Sequence, residues 1–413
     1  MLSTYLLRIR QFSPNARLFL LSTMMTGMAI GVYRLLFNFY ALSLDLNEGI
    51  IGQLITINSL VALLVALPMG YLGDVIGRKR ALIAGWGAIV LSVGWIVVWP
   101  SQVNFYLMAV LMGAAQSLTG VTMAPFLLEN SGEEERTYLF SIGQGLTMVA
   151  AFMGSSLGGY LPTWIGQSRQ VPATSSQAYG AALGWIALMI LLGMIPLFFL
   201  KRLQLSREQR SMFAPVSYAI QNRGMISKLV LPMLVTSIGA GLFMPFMNIF
   251  FRVQYSQPDP VIGNVLAWGA LAMGIGLFIA PPLADRIGKI QLVVITQALS
   301  IPFLILLGFS PWFWLSALSH YARLALMNMG GPIYNTFVME HVEAKARALV
   351  ASLTSMAFNF GWVFSPMISG WLQVHYGFAP VYALVVLIYI LAVYLYWRFF
   401  WPARSNASPD GLT

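Results

Sequence analysis

Apolar residues in this chain run in long blocks set off by short polar connections. A helix needs about 20 predominantly apolar residues to cross the hydrocarbon core of a bilayer. Twelve blocks reach that scale, at residues 17–42, 49–72, 81–99, 103–128, 138–161, 178–200, 229–251, 261–284, 289–309, 312–338, 347–371 and 376–400. The pattern predicts an all-α membrane protein with twelve transmembrane helices. One connection differs from the rest. Residues 201–228 are polar and carry Lys201, Arg202, Arg207, Arg210, Arg223 and Lys228. This segment is expected to be a cytoplasmic linker between two six-helix bundles, residues 1–200 and 229–413. Many spans contain Gly and Pro, which membrane helices tolerate because neighbours re-satisfy the freed backbone groups.

Composition narrows the class further. Hydrophobic residues make up 58% of the 413 positions and charged residues only 9%, against roughly 25% charge in soluble domains. A water-soluble body of this size could not hide so much apolar surface. The chain has no cysteine and three scattered histidines, so no disulfide scaffold, thiol nucleophile or metal-ligand cluster is expected. It carries neither the G-x-x-x-x-G-K-[ST] phosphate loop nor H-E-x-x-H. No enzyme and no cofactor are predicted.

The net charge of +10 is spread along one membrane face. With both termini inside, 19 of the 23 Lys and Arg fall in cytoplasmic segments, as the positive-inside rule requires. That distribution sets topology and meets anionic lipid; it is not a nucleic-acid footprint. A multi-pass protein of a plasma (inner) membrane with cytoplasmic termini is expected.

The two halves repeat at an offset of 210–211. Gly31 and Asn38 meet Gly241 and Asn248; Leu72, Asp74, Ile76 and Gly77 meet Leu283, Asp285, Ile287 and Gly288; Glu129, Arg136 and Gly159 meet Glu340, Arg347 and Gly370. Rare charged residues holding one register mark a duplication of six spans.

The run Gly70-Tyr-Leu72-Gly-Asp74-Val-Ile-Gly77-Arg78-Lys79-Arg80, between the second and third spans, resembles the G-x-L-x-D-R-x-G-R-K-x loop of the major facilitator superfamily. Leu283 to Lys289 stands where that superfamily keeps a weaker copy. Val75 departs from the usual basic residue, although Arg286 fills that slot in the second copy. The resemblance covers the whole chain. It implies two pseudo-symmetric six-helix bundles and a secondary active or facilitative transporter that rocks between inward and outward access. It also implies gating roles. Gly70 would allow close helix packing, Asp74 would pair with a basic residue, and Gly77, Arg78 and Asp285 belong to the same loops. Glu129, Arg136, Glu340 and Arg347 would form an inner-face network. Antiporters of the superfamily often carry R-x-x-Q-G in the fourth span; here Gln116 is kept, but Gly113 replaces Arg and Ser117 replaces Gly. They also often carry a proline where Ser155 stands in the fifth. Both departures argue against a proton-driven drug antiporter.

The membrane interior supplies the candidate site. None of the 13 acidic residues falls near a predicted midplane, which argues against a carboxylate proton relay. Arg34 and Arg323 do lie deep. By the resemblance, spans 1, 4, 7 and 10 line the central cavity, so the two guanidiniums would face each other and bind a planar anion through bidentate hydrogen bonds. His320, three residues before Arg323, is a candidate proton carrier. Asn38, Gln116, Asn248 and Asn359 are candidate ligand contacts; the equivalent places of Asn38 and Asn248 also suit a structural or gating role. Tyr33, Phe37, Trp268, Phe360 and Trp362 are candidate pocket aromatics, with lipid-facing or packing roles as the alternative. Arg252 reads as an outer-interface anchor. The expected substrate is a small organic anion, with efflux of lipophilic compounds or drugs, or sugar transport, as the alternatives. The expected partners are that small molecule, the lipid bilayer and a co-transported ion or proton, with no nucleic acid and a monomeric chain.

Overall fold

A computed structural model describes residues 12–201, 222–340, 342 and 347–401. Among the described residues there are helices and short turns and no strand. The helices are α1 (Pro14–Leu42), α2 (Glu48–Leu64), α3 (Ala66–Ile76), α4 (Arg78–Val98), α5 (Gln102–Glu129), α6 (Glu133–Arg169), α7 (Ser176–Phe198), α8 (Arg223–Phe243), α9 (Met247–Tyr255), α10 (Asp259–Ile287), α11 (Lys289–Phe309), α12 (Phe313–Glu340), α13 (Arg347–Tyr376) and α14 (Phe378–Phe400). Each predicted span falls on helix. Among the described residues, eight helical stretches are long and apolar enough to cross a membrane, or nine when α2 and α3 count as one bent span. The other predicted spans fall on α6, α12 and α13.

Proline explains the two broken spans. The α2–α3 pair bends by 57°. Pro68 stands just past the break, where it lacks the N–H that would bond Leu64 and its ring crowds that carbonyl. The seventh span passes through a 3₁₀ turn at Met244–Phe246, with Pro245 at its centre. Serine and asparagine start several helices. Ser13, Asn47 and Ser175 accept hydrogen bonds from Ala16, Ile50 and Ala178 N–H at 3.0–3.2 Å, satisfying donors that the first turn leaves open. Gly77 and Gly288 end α3 and α10 at φ +87° and +98°, a region costly for any other residue. The duplicated loop therefore turns the same way twice.

Packing divides the chain into two compact units, and the division does not follow the repeat. One unit holds the first seven helices together with Phe246–Leu271; the other begins in the central loop, runs to Pro245 and resumes at Ala272. The first boundary, at 207/208, falls inside the segment 201–228; the departure from two clean halves is that α9 and the first part of α10 pack with the first six spans. In the first unit α1 is central, against α6 and α7. A Cβ on Gly154 would run into the Met28 carbonyl, so glycine is what lets α6 cross α1 this closely. Asn15 ties the unit's inner end. Its amide donates to Asn130 Oδ1 at 2.8 Å and to the Lys201 carbonyl at 3.0 Å. In the second unit α8 packs on α13 and α11 on α12. Its core includes Leu229, Val293, Tyr334, Val338 and Tyr396, and the Tyr334 hydroxyl donates to the Leu229 carbonyl at 2.6 Å.

Candidate functional site

The first unit holds a partly open cavity of about 110 Å³ lined by Tyr33 and Phe37 of α1, Asn58 of α2, and Phe105, Met112 and Gln116 of α5, among others. The α5 residues stand seven and four apart, one helical stripe. Phe37 lies 5.2 Å from Tyr33 and 6.1 Å from Phe105, ring centre to ring centre. Gly113 faces the Asn58 carbonyl so closely that a Cβ would overlap it. The arginine of the antiporter pattern has no room at that position. The lining carries no charge, and its hydrogen-bonding capacity resides in Asn58, Ser92, Gln116 and the Tyr33 hydroxyl.

Arg34 follows Tyr33 on α1. It is exposed, and among the described residues nothing pairs with its guanidinium. It lies eight residues before the end of α1, about 12 Å along the axis at 1.5 Å per residue. Tyr33 and Phe37 face the cavity, so Arg34 lies about 60–100° around the helix from that face.

Arg323 is held differently. It belongs to the second unit and is 2% exposed. Its Nη2 donates to the Tyr389 hydroxyl at 2.8 Å, and the guanidinium carbon lies 4.4 Å from the Phe243 ring centre. Nη1 approaches Met244 Sδ at 3.9 Å, and Nε has no hydrogen-bond partner. Among the described residues no carboxylate reaches it. The expected pairing of Arg34 with Arg323 around one anion is not what positions Arg323: an aromatic box inside its own unit holds it, through cation–π and hydrogen-bond contacts. His320 is 1% exposed in the same unit, an enclosed position for an expected proton carrier, which must meet water in some state.

The predicted amides separate into two groups. Gln116 lines the cavity. Asn359 is exposed and donates to the Ser355 carbonyl one turn back, at 2.9 Å. Asn38 and Asn248 are both 3% exposed. Asn38 donates to Asn248 Oδ1 at 2.9 Å, and Asn248 donates to the Leu35 carbonyl at 2.7 Å. Their hydrogen-bonding groups face each other, so the structural role fits them and the ligand role does not.

At the loop ends, Arg78 joins Asp74 at 2.5 Å and Glu129 at 3.1 Å. Lys289 pairs with Glu340. Lys289 and Glu340 stand 211 positions after Arg78 and Glu129, so the duplication preserves an ion pair. Asp285 is exposed and has no ion-pair partner among the described residues. Lys79 donates to the carbonyls of Phe198 and Leu200 at 2.5 and 2.8 Å, a cation at the end of α7 where the helix dipole favours it. A Cβ on Gly70 would meet nothing within 4 Å, whereas one on Gly73 would lie 3.0 Å from Thr122 Oγ1. The close-packing glycine of this loop is therefore Gly73 and not Gly70, because Gly73 is the one turned toward α5. The side chains of Arg136 and Arg347 lie outside those described.

Sequence reading missed one cluster, in the first unit at the end that the Lys and Arg distribution assigns to the outside. Arg252 is not an interface anchor. It pairs with Asp259, seven residues on across the α9–α10 turn. Arg252 also donates to the Tyr179 hydroxyl at 2.7 Å, and that hydroxyl donates to Asp259 Oδ2 at 2.6 Å. The guanidinium carbon sits 3.3 Å from the Phe39 ring centre. Opposite charges flanking Ser256-Gln257-Pro258 were the available signal.

Comparison with known proteins agrees with this architecture. The family described as Major Facilitator Superfamily matches residues 19–234 and 229–412. Multidrug resistance protein MdtG of Dickeya zeae (strain Ech586) is 21% identical over 358 residues, which cover 84% of this chain and 83% of that protein. Among solved structures, nucleoside transporter NupG superposes with a TM-score of 0.75 at 13% identity, covering 93% of this chain and 98% of its own. A bacterial homolog of the human lysosomal transporter Spinster, inward-facing and occupied, gives 0.74 at 14% identity, covering 96% and 100%. The D-xylose-proton symporter gives 0.71 at 15%, covering 93% and 98%. At these identities the structures share the fold.

Proposed function

We propose that this chain, which belongs to the major facilitator superfamily and is a multi-pass membrane transporter, exports small aromatic organic anions across an inner membrane by alternating access. The observation that carries the reading is Arg34: a deep guanidinium, exposed, with no partner among the described residues. A guanidinium turned to acyl chains costs at least ~3 kcal/mol. Its exposed side therefore supports an opening to water or ligand, and an unpaired fork favours a carboxylate held by two hydrogen bonds. The neutral cavity beside it would take the aromatic part. A dry cavity of about 150 Å³ accepts benzene, so a volume of about 110 Å³ limits the aromatic part to one ring at most. Likeness to a multidrug resistance protein supports export. The mutual pairing of Asn38 and Asn248 removes two amides from the sugar reading.

The test is flux in proteoliposomes, comparing benzoate with benzamide. Benzoate should move and benzamide should not. Arg34→Gln should lower benzoate flux on the order of tenfold or more, the worth of a hydrogen bond to a charged group, with Arg34→Lys between. Unchanged benzoate flux in Arg34→Gln would sink the anion site.

The uncharged lining favours a second reading, efflux of neutral lipophilic compounds. Thermal stabilisation of the purified protein by neutral aromatics, equal in the parent and Arg34→Gln, would put that reading first.

A further inference from the structure

The Arg252–Asp259–Tyr179 triangle has no place in substrate binding, yet it is tightly enclosed: Tyr179 and Phe39 are fully buried, and the Asp259 side chain is 8% exposed. Arg252 and Asp259 belong to the α9–α10 hairpin, Tyr179 to α7 and Phe39 to α1. The same hairpin is seated on α6. A Cβ on Gly159 would strike the Asp259 carbonyl, and one on Gly263 the Ser155 carbonyl. Ser156 Oγ donates to Asn264 Oδ1 at 2.8 Å, and Asn38 and Asn248 add their own pair.

We propose that Tyr179 and Phe39 are the seat of an outer latch, which holds the α9–α10 hairpin against α1, α6 and α7 by completing the solvation of its ion pair. The pair itself lies within the hairpin and would travel with it. What separates on opening is the tyrosine hydroxyl, which bonds both charges, and the Phe39 face. In the closed state a buried charge pair needs all its hydrogen bonds. In the open state water supplies them. Loss of the Tyr179 hydroxyl therefore penalises the closed state alone and shifts the population toward outer opening.

The chain has no cysteine, so a single Ser156→Cys substitution reports the hairpin seat without background. The experiment measures labelling of the introduced thiol by a membrane-impermeant maleimide in right-side-out and inside-out vesicles. Tyr179→Phe should raise the outer labelling rate on the order of tenfold, the loss of a hydrogen bond to charged groups. Phe39→Leu should raise it severalfold and serves if Tyr179→Phe does not fold. Tyr40→Phe is the control, because it removes a different buried hydroxyl, on α1, that donates to the Ile96 carbonyl at 3.1 Å and not to the hairpin's ion pair. Its rate should stay at the parent value. An unchanged rate in folded Tyr179→Phe, or an equal rise in Tyr40→Phe, overturns the latch. A rise confined to inside-out vesicles overturns its assignment to the outer face.

Discussion

Asn38 donates to Asn248 at 2.9 Å across 210 positions of sequence, so two residues that the duplication makes equivalent are also in contact. Each is buried, and Asn248 holds the Leu35 carbonyl as well. Removing one amide takes a buried hydrogen bond from the other. Asn248→Ala should lower stability by about 1–3 kcal/mol, read as a drop in thermal midpoint in detergent. The paired change Asn38→Leu/Asn248→Leu should cost less than the sum of the single changes, since both remove the same hydrogen bond.

The Tyr389 hydroxyl accepts from an arginine that has no carboxylate among the described residues. Tyr389→Phe should therefore destabilise the fold by about 1–3 kcal/mol, because a buried guanidinium loses its hydrogen bond. Arg323→Met in that background should recover most of the loss, since replacing a buried charge by an apolar side chain of similar length is often neutral or stabilising. Thermal midpoints of the four proteins in the cycle measure the coupling.

Two glycines of the same loop should behave oppositely. Gly77→Ala places a side chain at φ +87° and ψ 147°, a strain of about 1–3 kcal/mol. Gly70→Ala meets nothing within 4 Å and exchanges glycine for a better helix former. The yield and midpoint of folded protein should fall for the first and hold or rise for the second.

Arg78 stands between two carboxylates of different exposure, 59% for the Asp74 side chain and 19% for Glu129. Exposed pairs contribute about 0–1 kcal/mol, and partly buried ones are screened less. Glu129→Gln should lower the midpoint more than Asp74→Asn. Salt at about 1 M, where the screening length falls to about 3 Å, should narrow the gap between Asp74→Asn and the parent more than that between Glu129→Gln and the parent.

Much of the architecture was legible in the chain. Twelve apolar blocks each fall on helix, and the register that paired Gly77 with Gly288 and Glu129 with Glu340 reappears as two like turns and two like ion pairs. The reason is that these features are local. A membrane helix satisfies its own backbone within one segment, and a glycine at positive φ answers to its own turn. Of the candidate site, Arg34, Gln116, Tyr33 and Phe37 were visible as residues out of place in an apolar block or suited to a pocket, but Trp268, Phe360 and Trp362 were marked alike and do not line the cavity.

The partners were not visible. Helices that are apolar nearly all round carry little amphipathic phase, so nothing in the pattern says which way Arg323 points or that Tyr389, 66 residues on, receives it. The same blindness made Arg252 an interface residue and Gly70 a packing residue. The sequence by itself determined that this chain crosses the membrane many times, in two copies of one design, with cations deep in its spans. Only the tertiary structure decided which of those cations is enclosed and which is open, because helix rotation and contact are set by packing between segments far apart in the chain.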